Sequence, residues 1–179
     1  MLGMAQGSER IPERWTYDVF LSFRGADVRK NFLSHLYDSL RRCGISTFMD
    51  DVELQRGEYI SPELLNAIET SKILIVVLTK DYASSAWCLD ELVHIMKSHK
   101  NNPSHMVFPI FLYVDPSDIR WQQGSYAKSF SKHKNSHPLN KLKDWREALT
   151  KVANISGWDI KNRSVSSTDL LCSLILLLS

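Results

Sequence analysis

Ile73-Leu-Ile-Val-Val-Leu78 places six aliphatic residues in succession, and this run constrains the fold more than any other segment. A half-solvated strand alternates polar and apolar positions, and an amphipathic helix spaces its apolar positions at three and four. An unbroken run instead fits a central strand covered on both faces, which is the setting of a parallel sheet between two layers of helix.

The rest of the chain supplies those layers. Tyr17-Asp-Val-Phe-Leu-Ser-Phe23 predicts a first strand, followed by a loop at Arg24-Gly25-Ala26-Asp27. Between Lys30 and Cys43, the spacing of Phe32, Leu33, Leu36 and Leu40 predicts a helix that Gly44 stops, and Ile45 to Met49 is a second strand. A polar loop from Val52 to Ile60 leads to Ser61-Pro62-Glu63, where a capping residue, a proline at the first helical position and an early acid announce a helix with Leu64, Leu65 and Ile68 inward. Ser84 and Ser85 offer a cap to another helix near Trp87, which turns Leu89, Leu92, Val93 and Met96 to the core. A fourth strand, Met106 to Val114, is broken at Asp115-Pro116-Ser117. Helices follow near Tyr126 to Lys132 and through Leu142, Trp145, Leu149 and Val152 to Gly157, and Trp158-Asp159-Ile160 is a short fifth strand. The alternation predicts an α/β fold with a five-stranded parallel sheet ordered 2-1-3-4-5 and helices on both faces.

At 179 residues, with 44% hydrophobic and 23% charged side chains, the chain accommodates one domain. We expect a loose arm over 1–15, the domain over 16–163, and an atypical apolar tail over 164–179 whose only charged side chain is Asp169. Leu170 to Leu178 is apolar apart from Ser173, but a spanning helix needs about 20 such residues, so no transmembrane segment is expected. Nor is a signal sequence expected in Met1 to Trp15, which mixes Gln, Ser, Glu and Arg without an apolar run. A net charge of +2 is too small for a nucleic-acid-binding footprint, and Cys43, Cys88 and Cys172 have neither disulfide-framework nor metal-ligand spacing. The chain therefore reads as intracellular, with reduced thiols.

Several chemistries are excluded by motif. GxGxxG, GxxxxGK[ST], HExxH, CxxC and GxSxG are all absent, which argues against a Rossmann dinucleotide fingerprint, a P-loop, a metal site and a nucleophile elbow. Asp50-Asp51 follows the second strand rather than the first, which disfavours a phosphoacceptor domain.

In open sheets of this order, ligands bind beyond the carboxyl ends of the strands where the order reverses, here between strands one and three. Phe23-Arg24-Gly25, the Arg56-Gly57 loop and the stretch from Trp87 to Glu91 converge there. Glu91 lies one helical turn beyond Trp87, at the edge of the apolar stripe, while Asp90 and His94 point away from it. A carboxylate in that position suits stabilisation of a nearby cation, although spacing alone favours an ordinary early-helix glutamate, stabilised by the dipole and facing water. Trp87 is a stacking wall or a rim residue, Cys88 a reactive thiol or packing, and Arg24 and Arg56 are phosphate contacts or solvated turn residues.

Tyr17-Asp-Val-Phe-Leu-Ser-Phe-Arg-Gly25 and Ala86-Trp-Cys-Leu-Asp-Glu-Leu-Val93 resemble signature segments of plant Toll/interleukin receptor (TIR) domains. Ile45 to Asp51, Leu54 to Glu58, Phe108 to Phe111, Val114 to Arg120 and Trp145 to Leu149 extend the likeness in order across Tyr17 to about Ile160. The resemblance implies a flavodoxin-like sheet and cleavage of the nicotinamide-ribose bond of NAD+, which is substrate rather than cofactor, in plant innate immunity and cell death. It puts the catalytic glutamate at Glu91 and the substrate-binding positions at Phe23, Arg24, Gly25, Arg56, Gly57, Trp87 and Cys88, with no metal.

The resemblance also implies self-association, with Ser34 and His35 at one interface and Arg120, Gly157 and Trp158 at a second, together building a tetramer when active, with other TIR proteins as further partners. The tail departs from the charged, amphipathic last helix of the family. The implied location is the cytoplasm, with the nucleus as a second compartment. Two other functions stay open at this point: a non-catalytic adaptor for homotypic association, and nucleic-acid-dependent cyclic nucleotide synthesis.

Overall fold

The computed structural model describes residues 15–25, 32–49, 60–161 and 167–178. Five parallel strands, β1 (Tyr17–Ser22), β2 (Thr47–Met49), β3 (Ser71–Leu78), β4 (Met106–Leu112) and β5 (Trp158–Ile160), form one sheet in the order β2-β1-β3-β4-β5. The helices are α1 (Phe32–Arg42), α2 (Pro62–Glu69), α3 (Ala86–Asn101), α4 (Pro116–Arg120), α5 (Ser125–His133), α6 (Leu139–Ala153) and α7 (Ser167–Leu178). This is the sheet order and class that the alternation predicts.

β3 divides its aliphatic run between two cores. Leu74, Val76 and Leu78 join a cluster with α2, α3, α5 and α6, through residues such as Leu64, Leu92, Phe130 and Trp145. Ile73, Ile75 and Val77 face the other way, into a cluster with Leu33, Leu36 and Leu40 of α1 and Leu170 and Leu174 of α7. Because side chains alternate along a strand, covering both faces requires every position of the run to be apolar.

Local chemistry fixes the helix starts. Ser61 Oγ accepts a hydrogen bond from the Leu64 N–H at 3.2 Å at the head of α2, with Pro62 at the first helical position. Ser85 Oγ accepts from the Cys88 N–H at 3.2 Å and so caps α3. Each bond satisfies a donor that the helix itself leaves open.

The five residues of α4 follow the predicted break, with Asp115 as its cap. The helix around Trp145 ends at Ala153, four residues before Gly157. The tail contains a helix, and Leu170 and Leu174 are fully buried against α1, whereas Leu176 remains 77% exposed. No helix among the described residues is long and apolar enough to cross a membrane.

Candidate active site

β1 and β3 are neighbours, with Ser22 paired to Val76, and β4 and β2 lie on their outer sides. The chain leaves these two central strands in opposite lateral directions, which opens a crevice at their carboxyl ends. Phe23 and Gly25, immediately after β1, are buried, and Arg24 between them is half-buried. α3 begins shortly after β3 and carries Trp87, Cys88 and Glu91 in its first two turns.

Glu91 is 1% exposed, a rare state for a carboxyl group. Its neighbourhood includes the fully buried Tyr82, whose hydroxyl is pushed well above its usual range by burial first and then by the charges of Cys88 and Glu91. A carboxyl group is thus held where little water reaches it, a setting in which charge on it acts on a nearby cation with little screening.

Cys88 is 1% exposed, and its thiol donates to the Phe23 carbonyl oxygen at 3.6 Å. This contact brings the end of β1 against the first turn of α3, so two of the three predicted segments meet. The third, with Arg56 and Gly57, lies outside the described residues. Trp87 is half-buried against the larger core, and its indole Nε1 is buried with no hydrogen-bond acceptor among the described residues.

Two further residues bear on this site. Tyr82, in a single helical turn at Tyr82–Ser84, donates its hydroxyl proton to the Cys88 carbonyl oxygen at 3.0 Å and lies 3.1 Å from Ser22 Oγ. Asp90, beside Glu91, accepts a hydrogen bond from Trp145 Nε1 at 2.8 Å and pairs with Lys141 at 2.9 Å. Tyr82 lies outside every segment that carries the family likeness, whereas Asp90 lies within Ala86 to Val93, where spacing predicts that it points away from the apolar stripe.

The surface positions divide by environment. Ser34 and His35 are exposed on α1, opposite the buried Leu33, Leu36 and Leu40. The Arg120 Nη2 donates to the Ala153 carbonyl oxygen at 2.9 Å, which ties α4 to α6. Gly157 abuts β4 so closely that a Cβ would lie 2.1 Å from the Pro109 carbonyl oxygen. Trp158 is half-buried against the smaller core. Among the described residues no group of three or more His, Cys, Asp or Glu side chains could hold a metal ion.

A single sheet of order 2-1-3-4-5 with a buried carboxylate at its crevice defines the class as a flavodoxin-like α/β domain with a candidate active site on its third helix. The family model for the TIR domain matches residues 16–170, and the chain belongs to that family. Disease resistance protein RUN1 of Vitis rotundifolia is 53% identical over 154 residues, which is 85% of this chain and 11% of that protein. TMV resistance protein N of Nicotiana glutinosa is 46% identical over 170 residues, 94% of this chain and 15% of that protein. This chain thus spans a small part of the length of these relatives. Among solved structures, the TIR domains of the activated Roq1 resistosome, described as directly recognizing the pathogen effector XopQ, superpose with a TM-score of 0.82 at 47% identity, covering 92% of this chain and all of that one. The TIR domain heterodimer of RPS4 and RRS1, at 22% identity and a TM-score of 0.51 over 89% of this chain and 94% of that one, is a likeness of fold.

Proposed function

We propose that this domain is a self-associating NAD+ nucleosidase of plant immune signalling, with Glu91 as its catalytic residue. The observation that carries the reading is a carboxylate 1% exposed on α3, at the crevice beside β1 and one turn beyond Trp87.

Nicotinamide in NAD+ is a pyridinium and leaves as a neutral ring without a proton. The reaction therefore needs no general acid. Positive charge develops on the ribose in an oxocarbenium-like transition state, which a fixed carboxylate stabilises more than it stabilises the substrate, and water then bonds to the anomeric carbon and releases a proton to solvent, leaving ADP-ribose. Glu91 supplies the carboxylate, and Trp87 beside it offers an aromatic face and an indole N–H with no acceptor among the described residues. Phe23, Arg24 and Gly25 follow β1 as substrate-binding residues of this reading, with Cys88 held against Phe23; Arg56 and Gly57, the other two, lie outside the described residues. NAD+ enters this reading as substrate with no metal or cofactor assigned a part, and the net charge of +2 argues against nucleic acid as a partner.

Self-association through two surfaces completes the reading: Ser34 and His35 on α1 form one contact, and Arg120, Gly157 and Trp158 line the second, giving a tetramer. The likeness to TIR domains of a resistosome supports assembly as the activating event, as do the resistance proteins among the relatives for a role in immunity. The place of action is the cytoplasm, with the nucleus as a second compartment. Incubating concentrated protein with NAD+ tests the reading: nicotinamide release that Glu91→Ala abolishes supports it, and equal turnover by the variant overturns it. Signalling that survives Glu91→Ala but fails in Ser34→Ala/His35→Ala would instead identify a non-catalytic adaptor.

A further inference from the structure

Tyr82 is fully buried, and its hydroxyl lies between the end of β1 and the first turn of α3. Its proton goes to the Cys88 carbonyl oxygen at 3.0 Å, because a carbonyl can only accept. The 3.1 Å contact with Ser22 Oγ must then run the other way, with the serine hydroxyl donating to the tyrosine oxygen. The result is a directed chain from Ser22 on β1, through Tyr82, to Cys88 on α3.

Cys88 is held at three points. Its N–H is accepted by Ser85 Oγ at 3.2 Å, its carbonyl takes the Tyr82 proton, and its thiol donates to the Phe23 carbonyl oxygen at 3.6 Å. Two of these ties lead back to the end of β1, at Ser22 and Phe23. Glu91 stands three residues further along the same helix, on the adjacent turn and facing the same side. The height and rotation of this helix start relative to β1 therefore set where the carboxylate sits.

We infer that Tyr82 is a positioning residue for Glu91, holding the start of α3 to the end of β1 through the Ser22–Tyr82–Cys88 hydrogen-bond chain. The inference rests on the nucleosidase reading, and it adds a residue that has no surface in the crevice and never touches substrate. Burial and the charges of Cys88 and Glu91 hold the Tyr82 hydroxyl well above its usual range, so the proton that makes the tie stays in place at working pH. Catalysis by a fixed carboxylate depends on placement to a fraction of an ångström, and a displacement of about 1 Å costs on the order of 100-fold in rate. A helix start that has lost one of its ties will move by less than that.

The experiment compares wild type, Tyr82→Phe, Ser22→Ala and the double variant, with two readouts. Steady-state NAD+ cleavage should show kcat reduced about tenfold in Tyr82→Phe with KM changed less than threefold, because the displaced carboxylate acts on charge present only in the transition state. The double variant should be no slower than Tyr82→Phe, since both substitutions break one chain. The second readout needs no turnover. Iodoacetamide labelling followed by mass spectrometry should modify Cys88, 1% exposed in the wild type, at least about tenfold faster in Tyr82→Phe, with the exposed Cys43 and Cys172 unchanged as internal references. Wild-type kcat in Tyr82→Phe overturns the inference, and so does a fall in kcat without faster Cys88 labelling. If the wild type cleaves no NAD+, the nucleosidase reading fails, while faster Cys88 labelling in Tyr82→Phe still establishes the tie and unchanged labelling removes it.

Discussion

Trp145 donates its indole N–H to Asp90 at 2.8 Å, which joins α6 to the turn of α3 that carries Glu91. The indole is fully buried, while the Asp90 side chain is partly exposed and its second oxygen pairs with Lys141 at 2.9 Å. Asp90→Ala should lower unfolding free energy by about 1.5–3 kcal/mol, because it leaves a buried N–H without its charged acceptor. Urea titration checks this, and a change under about 0.5 kcal/mol would show that the bond contributes little. Asp90→Asn should recover most of the loss, since an amide oxygen still accepts.

Gly157 is required by the packing of β4 against the loop that precedes β5. A Cβ there would meet the Pro109 carbonyl oxygen at 2.1 Å and its Cγ at 2.6 Å, and backbone has no rotamer by which to yield. Gly157→Ala should cost about 1–3 kcal/mol in the monomer. Thermal unfolding at a concentration too low for association separates this from an interface effect. A wild-type midpoint would place the role of Gly157 entirely at the surface between subunits.

The two faces of α7 predict opposite responses. Leu174 is fully buried against α1, so Leu174→Ala should cost about 2–5 kcal/mol. Leu176 is 77% exposed, and Leu176→Ala should stay within about 0.5 kcal/mol. Equal effects in a urea titration would show that the helix does not dock in this orientation.

Acid should destabilise the fold through His137 and His94. Burial is the main cause that holds both imidazoles below their ordinary value of 6.5, reinforced by His133 and Lys141 at the first and by Lys97 at the second. With folded values below unfolded ones, each contributes stability that is complete above about pH 6.5 and is lost as pH falls through that value toward the folded one. Unfolding free energy should therefore decline from pH 7.5 to 5.5, with a shallower decline in His137→Gln. A steeper decline in that variant would contradict the assignment.

The sheet was legible because burial on both faces writes itself as uninterrupted aliphatic sequence, and its order because strands alternate with helices in a parallel sheet. Other features left no such trace. Five-residue α4 is too short to show a period, and the tail has no polar stripe to say which side of α7 would be covered. Glu91 stood out by its place at the edge of the stripe, yet spacing alone favoured a solvated glutamate, and only the packing of the first turns of α3 shows it buried. Asp90, expected to point away from the core, meets Trp145 because α6 crosses over α3 there. Ser22 and Tyr82 are 60 residues apart, a pairing that neither periodicity nor motif can announce.

The proposed nucleosidase activity stands or falls with the Glu91 carboxylate. Concentrated wild-type protein and Glu91→Ala, both shown folded by circular dichroism, are incubated with NAD+, and nicotinamide is quantified by mass spectrometry. Equimolar NAD+ loss and nicotinamide release are expected of the wild type, with at least about a 100-fold lower rate in the variant. Equal rates in the two folded proteins would contradict it.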